Sequence, residues 1–143
     1  MINVDQKPIT KRVAVAEGYV KMHPETLKAI LTGNIKKGDV ICLSKVAGTL
    51  AAKYTPMLIA MCHPIPLSDV EIEIIPSGKE ALHVKASTVA TWKTGVEMEA
   101  LTAVSVACLN IYDMCKSIDR GMRIEGIRLL YKSGGRSGEY KAE

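Results

Sequence analysis

The residues best suited to moving protons lie in one stretch, Lys93–Lys116, which reads KTGVEMEALTAVSVACLNIYDMCK. It carries two carboxylates near its start, Glu97 and Glu99, and an Asp-x-x-Lys pair, Asp113 and Lys116, at its end. The spacing predicts one long helix. Gly95 breaks any run before it, and acids in a first turn suit the positive end of the helix dipole. Asp113 and Lys116, three apart, project from one face. Ala103, Val104, Val106, Ala107, Leu109, Ile111 and Met114 make the intervening turns almost continuously apolar, as in a helix buried in a core or an interface. A charged pair on such a helix is expected to be perturbed and functional, where an ordinary surface ion pair would contribute little.

Glu97 and Asp113 are sixteen residues apart, roughly 24 Å along an unbroken helix. At about 100° per residue they also face nearly opposite ways. A straight helix therefore cannot bring both to one small-molecule site. Either the helix kinks after its acidic segment, or the site is shared between subunits. The apolar helix surface favours sharing, so the expectation is a homo-oligomer with interfacial active sites.

Cys62-His63-Pro64 offers two zinc-ligand types, but adjacent ligands without a second Cys/His pair make an incomplete site, and no metal is expected. A histidine held ahead of Pro64 and Pro66 on a loop is better suited to hydrogen bonding or proton transfer. Lysines at element ends (Lys36, Lys37, Lys53, Lys93, Lys116, Lys132) are in several cases followed closely by glycine, as in Lys37-Gly38 and Lys132-Ser133-Gly134-Gly135. Glycine lets backbone amides approach an anion and lysine adds compact charge. No P-loop pattern is present, so the pattern points to a polyphosphate bound outside any nucleotide-binding fold.

Composition narrows the class. At 143 residues, 48% hydrophobic and 24% charged, the chain is expected to form a single domain, residues 1–143, with a real core. One Trp and no Phe argue against stacking platforms for single-stranded nucleic acid, and a net charge of +4 is too mild to suggest nucleic acid by itself. No apolar run reaches the roughly 20 residues that span a membrane, and Met1–Arg12 lacks an apolar signal core. A cytoplasmic protein is expected, with Cys42, Cys62, Cys108 and Cys115 as free thiols.

The elements that must position these residues follow from local pattern. Val13–Met22 has strand composition; Pro24 opens a short helix that Gly33 closes. Asp39 is placed to cap a helix from Val40 to about Lys53, whose residues at 43, 46, 47, 50 and 51 predict a buried stripe. A short helical piece follows Thr55-Pro56, then an extended loop at 62–66. Asp69–Ile75 alternates as a half-solvated strand and pairs as a hairpin with Ala81–Thr91. After the long helix a last strand is expected near Ile127–Tyr131, and the Lys132–Gly138 tail is expected to be flexible. The order predicts an α+β fold, ferredoxin-like, with an antiparallel sheet, helices packed on one face and an extra helix inserted.

Taken together these motifs resemble the MoaC family. The matching residues are Met1–Lys7, Lys37–Val40, Cys62–Pro64, Lys93–Thr102, Ile111–Lys116 and Lys132–Gly135, in order from the first residue almost to the last. The resemblance implies a cytosolic phosphorus–oxygen lyase of molybdenum cofactor biosynthesis. Such an enzyme converts 3′,8-cyclo-7,8-dihydroguanosine 5′-triphosphate to cyclic pyranopterin monophosphate and releases pyrophosphate. It further implies a ferredoxin-like homohexamer, a trimer of dimers with sites at the dimer interface, needing no cofactor. Asp113 and Lys116 fall on the family's catalytic pair. Met61, Cys62, His63, Met98 and Glu99 fall on substrate-binding segments, with Glu97 a further site residue. Lys37, Lys53 and Lys132 suit the triphosphate, whose neutralisation should help pyrophosphate depart. Family members commonly read Val-Asp-Val where this chain has Ile2-Asn3-Val4, so an acid at position 3 is missing here. The rival expectations are a non-catalytic oligomeric binder of an anionic metabolite, which leaves the Asp113–Lys116 pair without a purpose, and a zinc-dependent purine-ring hydrolase using Cys62 and His63.

Overall fold

A computed structural model describes residues 1–143. The elements are β1 (Thr10–Lys21), α1 (Pro24–Leu31), α2 (Val40–Lys53), α3 (Thr55–Leu58), β2 (Asp69–Pro76), β3 (Ala81–Trp92), α4 (Glu97–Cys115), β4 (Arg123–Ser133) and β5 (Tyr140–Lys141). The sheet is antiparallel in the order β2-β3-β1-β4-β5. Its first four strands have the ferredoxin-like arrangement expected from the sequence, and α1 to α3 fill the first crossover. No helix is long and apolar enough to cross a membrane.

Period-2 alternation gives the sheet its inner face. Ala14, Ala16 and Val20 of β1 and Leu82, Val84, Ala86 and Ala90 of β3 are buried beneath α4. The small residues let the helix lie close. A Cβ on Gly18 would meet Val104 at 2.9 Å and Ile127 at 3.0 Å. Outside this layer α2 runs antiparallel to α4: Asn110 Nδ2 donates to Ser44 Oγ at 3.0 Å, and a Cβ on Gly48 would lie 2.9 Å from the carbonyl oxygen of Ala103.

This close packing corrects one expectation. Of the stripe at 43, 46, 47, 50 and 51 only Ala51 is buried; the buried face of α2 is Val40, Ser44, Gly48, Ala51 and Ala52, while Leu43, Val46 and Leu50 are exposed. Small residues face α4 because the two backbones nearly touch, which leaves the larger apolar side chains outside. Tyr54, Met57, Leu58 and Met61 continue this exposed apolar surface.

Caps and ends behave as their residues require. Asp39 Oδ1 accepts from the Cys42 N–H at 3.0 Å and starts α2 as expected. The start of α1 is held from a distance. Buried Asp119 accepts from the His23 N–H and from Thr26 Oγ1, both at 2.9 Å. The long helix is shorter than the Lys93–Lys116 stretch, since residues 93–96 form a bend and α4 begins at Glu97. The tail expected to be flexible instead folds back, and Tyr140-Lys141 pair with Tyr131 and Lys132.

Candidate active site

The α4 helix runs unbroken from Glu97 to Cys115, so no kink brings its acids towards Asp113. The sequence-derived site residues separate into two groups, one at each end.

Asp113, Lys116 and Lys37 meet at the C-terminal end. Lys116 Nζ donates to Asp113 Oδ1 at 2.9 Å and Lys37 Nζ to Oδ2 at 3.0 Å. Lys37 also donates to the Asp113 carbonyl at 3.2 Å, satisfying a helix-end oxygen that has no intrahelical partner. The turn after Lys37 places Gly38 at φ 122°, a conformation that glycine adopts readily. Hydrogen bonds from Lys116 and Lys37 hold the Asp113 carboxyl below its ordinary range, and the Asp113 carboxylate raises Lys116. Both groups are thus held in their ionised forms. The pair is not buried as the apolar helix had suggested, since each side chain is 54% exposed in the single chain. Only the inner side of the last turn of α4 is covered, at Ile111, Met114 and Cys115, and Leu109 on the same helix is exposed too.

The opposite end gathers Glu97, Met98 and Glu99 with the loop bearing Met61, Cys62 and His63. Glu99 is 1% exposed, and its Oε2 faces Cys62 Sγ at 3.8 Å, while Oε1 has no hydrogen-bond partner. Burial raises the Glu99 carboxyl and nearby Glu97 adds to this, against opposing hydrogen bonds from its own backbone and from Cys62. Burial, with Glu99 and Glu97 beside it, also raises the Cys62 thiol. This cysteine is thereby kept protonated and a poor nucleophile. Met61 is exposed, and the amino group of Met1 lies 3.5 Å from its Sδ. His63 is half-buried and Met98 partly exposed. No three His, Cys, Asp or Glu side chains converge as a metal cage.

Lys53 and Lys132 belong to this second group. Antiparallel packing carries Lys53, the last residue of α2, towards the start of α4. Lys132 pairs in register with Ala14, which faces Thr88, whose Oγ1 donates to the Val96 carbonyl just before α4. Lys132 Nζ donates to Ser137 Oγ at 2.8 Å.

Arg12 is a residue that sequence reasoning missed. It is 4% exposed, and its guanidinium donates to the carbonyls of Trp92 (3.2 Å), Lys93 (3.1 Å) and Pro8 (3.4 Å) without pairing to a carboxylate. Gly134 and Gly135 lie directly against it. A Cβ on Gly134 would strike the Lys11 carbonyl oxygen, and one on Gly135 would strike Arg12 Nη1. The Lys-Ser-Gly-Gly motif is thus a loop folded onto a buried cation, and both glycines have positive φ (99° and 78°). The double glycine signalled a close approach, but nothing in sequence identified the cation beneath it.

One end therefore offers an ionised Asp–Lys pair with a second lysine. The other offers carboxyls, a histidine and a thiol beside Lys53, Lys132 and buried Arg12. Residues 1–135 match the sequence model of the MoaC family. A relative from Methylobacterium sp. (strain 4-46), named cyclic pyranopterin monophosphate synthase, is 55% identical over 144 residues, covering 100% of this chain and 90% of its own length. With the family motifs in register and the fold they require in place, the chain belongs to the MoaC family.

Proposed function

We propose that this chain is a cyclic pyranopterin monophosphate synthase: a lyase of molybdenum cofactor biosynthesis that converts 3′,8-cyclo-7,8-dihydroguanosine 5′-triphosphate to cyclic pyranopterin monophosphate and pyrophosphate. It acts as a single domain, 1–143, in the cytoplasm, without a metal or cofactor. The observation that carries the mechanism is the triad at the end of α4, in which one carboxylate is gripped by Lys116 on one oxygen and Lys37 on the other.

The reaction opens one ring and forms another, so protons must leave and join nitrogen and carbon. Lys116 enters protonated, because Asp113 raises its pKa, and acts first as the acid. After giving up its proton it is the base that removes another. Asp113 orients the ammonium and stabilises its charge. Lys37, Lys53, Lys132 and Arg12 hold the triphosphate and neutralise the departing pyrophosphate. Met61, Cys62, His63, Glu97, Met98 and Glu99 surround the ring system.

These groups serve one substrate only if two copies meet. An unbroken α4 separates its ends by about 24 Å between Glu97 and Asp113, so each site takes one end from each of two protomers. The exposed apolar surface of α2 and the segment after it, from Leu43 through Met61, supports a partner chain covering that face. The assembly proposed is a homohexamer, a trimer of such dimers.

The test is incubation of purified protein with the cyclic dihydroguanosine triphosphate, assaying pyrophosphate and the pterin product. Wild type should release both and Asp113→Asn neither. Binding without release by folded wild type would overturn the proposal in favour of a metabolite sensor.

A further inference from the structure

Nine of the eleven glycines have a reason in the fold. Seven have positive φ. Gly18 and Gly48 lack a side chain because Val104, Ile72 and the Ala103 carbonyl oxygen stand where one would be. At Gly121 the nearest atom to an added Cβ is Asp119 Oδ1 at 3.8 Å, so alanine would fit. Gly95 belongs to none of these classes. Its φ is not positive, and the three atoms nearest to an added Cβ all belong to the Glu97 carboxyl. Such a Cβ would strike Oε1 and lie 2.8 Å from Cδ and 3.1 Å from Oε2.

The carboxyl comes to lie there because of its place in the helix. Side chains on a helix lean towards its N-terminus, and Glu97 is the first residue of α4, so its end projects back over the bend at 93–96. The N-cap, Val96, supplies no side-chain hydrogen bond, and a carboxylate at this end of the helix meets the positive pole of its dipole. Glu97 takes part in none of the molecule's ion pairs. Its position is set by helix geometry and by the free space over Gly95. Resting on the proposed function, which places Glu97 at the substrate's ring system, we propose that Gly95 is a positioning residue. Its missing side chain leaves the space in which the Glu97 carboxyl is held, and the site, not the fold, requires glycine there. Alanine at 95 would displace only the end of one half-buried, flexible side chain and leave the backbone where it is.

A double-mutant cycle tests this, using Gly95→Ala, Glu97→Ala and the two combined, each in the assembled full chain and assayed for pyrophosphate release. With Glu97 present, Gly95→Ala should lower kcat/KM about tenfold, the scale on which a misplaced site group acts. With Ala at 97 there is no carboxyl to displace, and Gly95→Ala should change kcat/KM by less than about twofold. Tm should stay near that of wild type. An equal loss in both backgrounds, or full activity in either single variant, would overturn the proposal. So would a Tm lowered by more than about 4 °C, which would show that the fold needs the glycine. The crystal structure of Gly95→Ala gives an answer independent of the reaction. The Glu97 carboxyl should swing aside over an unchanged backbone at 93–99 even if the protein releases no pyrophosphate. A carboxyl that stays in place while the backbone shifts would overturn the proposal whatever the substrate.

Discussion

The separation of the two site halves along α4 can be tested by mixing damaged halves. One variant carries His63→Ala and Glu97→Gln, which damage the N-terminal end of α4 and its loop. The other carries Asp113→Asn, which damages the C-terminal end. Neither touches a buried core side chain: His63 and Glu97 are half-buried and Asp113 is exposed. Each homogeneous protein should retain about 1% activity or less, the usual cost of removing a general acid or base or its orienting group. In a two-fold dimer the interface is self-complementary, so every dimer holds two sites, each built from one end of either chain. Random mixing in equal amounts makes half of the dimers mixed. Each mixed dimer contains one site with both ends intact and one with both ends damaged. The mixture should therefore recover about one quarter of wild-type activity. The assay is pyrophosphate release after co-expression or joint refolding, with the separately folded variants combined just before assay as the control. Activity no greater than the sum of the two variants, in a mixture shown by mass spectrometry to contain hybrid dimers, would refute a shared site and require both ends to act within one chain.

Three further outcomes follow from the packing and the ionisable groups. Gly48→Ala should destabilise the fold although alanine is the better helix former by about 1 kcal/mol. Its Cβ would meet Ile72 and lie 2.9 Å from the Ala103 backbone oxygen, a type of overpacking that costs about 1–3 kcal/mol; a Tm at or above wild type would contradict the close α2–α4 approach. At Glu17, burial raises the carboxyl, but hydrogen bonds from Arg128 and His83 outweigh it and hold the pKa below its ordinary value. A depressed carboxyl stabilises the fold above its unfolded pKa and loses this as pH falls through the folded one. Glu17→Gln should therefore lower stability at neutral pH and weaken its fall on acidification, measured by urea unfolding between neutral and acid pH; parallel curves would contradict it. Burial pushes Cys108 up to about 12 and Cys115, with Asp119 nearby, to about 11. In native protein Cys42 should alkylate first and these two only on unfolding, as peptide mass spectrometry would show.

Where each element lies was legible because local chemistry and tertiary packing agree. The alternation at 69–75, the Asp39 cap and Pro24 at the start of α1 each have a cause within a few residues. Which face an element buries was less legible. In α2 the larger apolar residues predicted the buried stripe, but the proximity of α4 favours small residues such as Ser44, Gly48 and Ala51, the last alone of the predicted stripe, so Leu43, Val46 and Leu50 turn outward. Periodicity identifies an apolar face without telling core from interface. The same ambiguity misled the expected burial of Asp113 and Lys116. Arg12 and Asp119 could not be found because their partners, Trp92 and Lys93 or His23 and Thr26, are eighty or more residues distant. The pairing of Glu99 with Cys62, 37 residues apart, was likewise invisible to local pattern, although both were singled out individually.

The strand order also has a consequence for how the chain is made. The middle strand, β1, is made before both of its neighbours, since β3 and β4 begin only at Ala81 and Arg123. During most of synthesis Ala14, Ala16 and Val20 have neither sheet neighbours nor the covering α4. The nascent chain therefore keeps its central strand unpaired until more than half of the sequence has emerged, and the sheet completes only when β4 arrives. Such late, long-range pairing makes folding slow and leaves an aggregation-prone edge open throughout elongation. Stop codons or pauses placed between residues 22 and 80 should yield chains that are degraded or bound by chaperones rather than folded fragments.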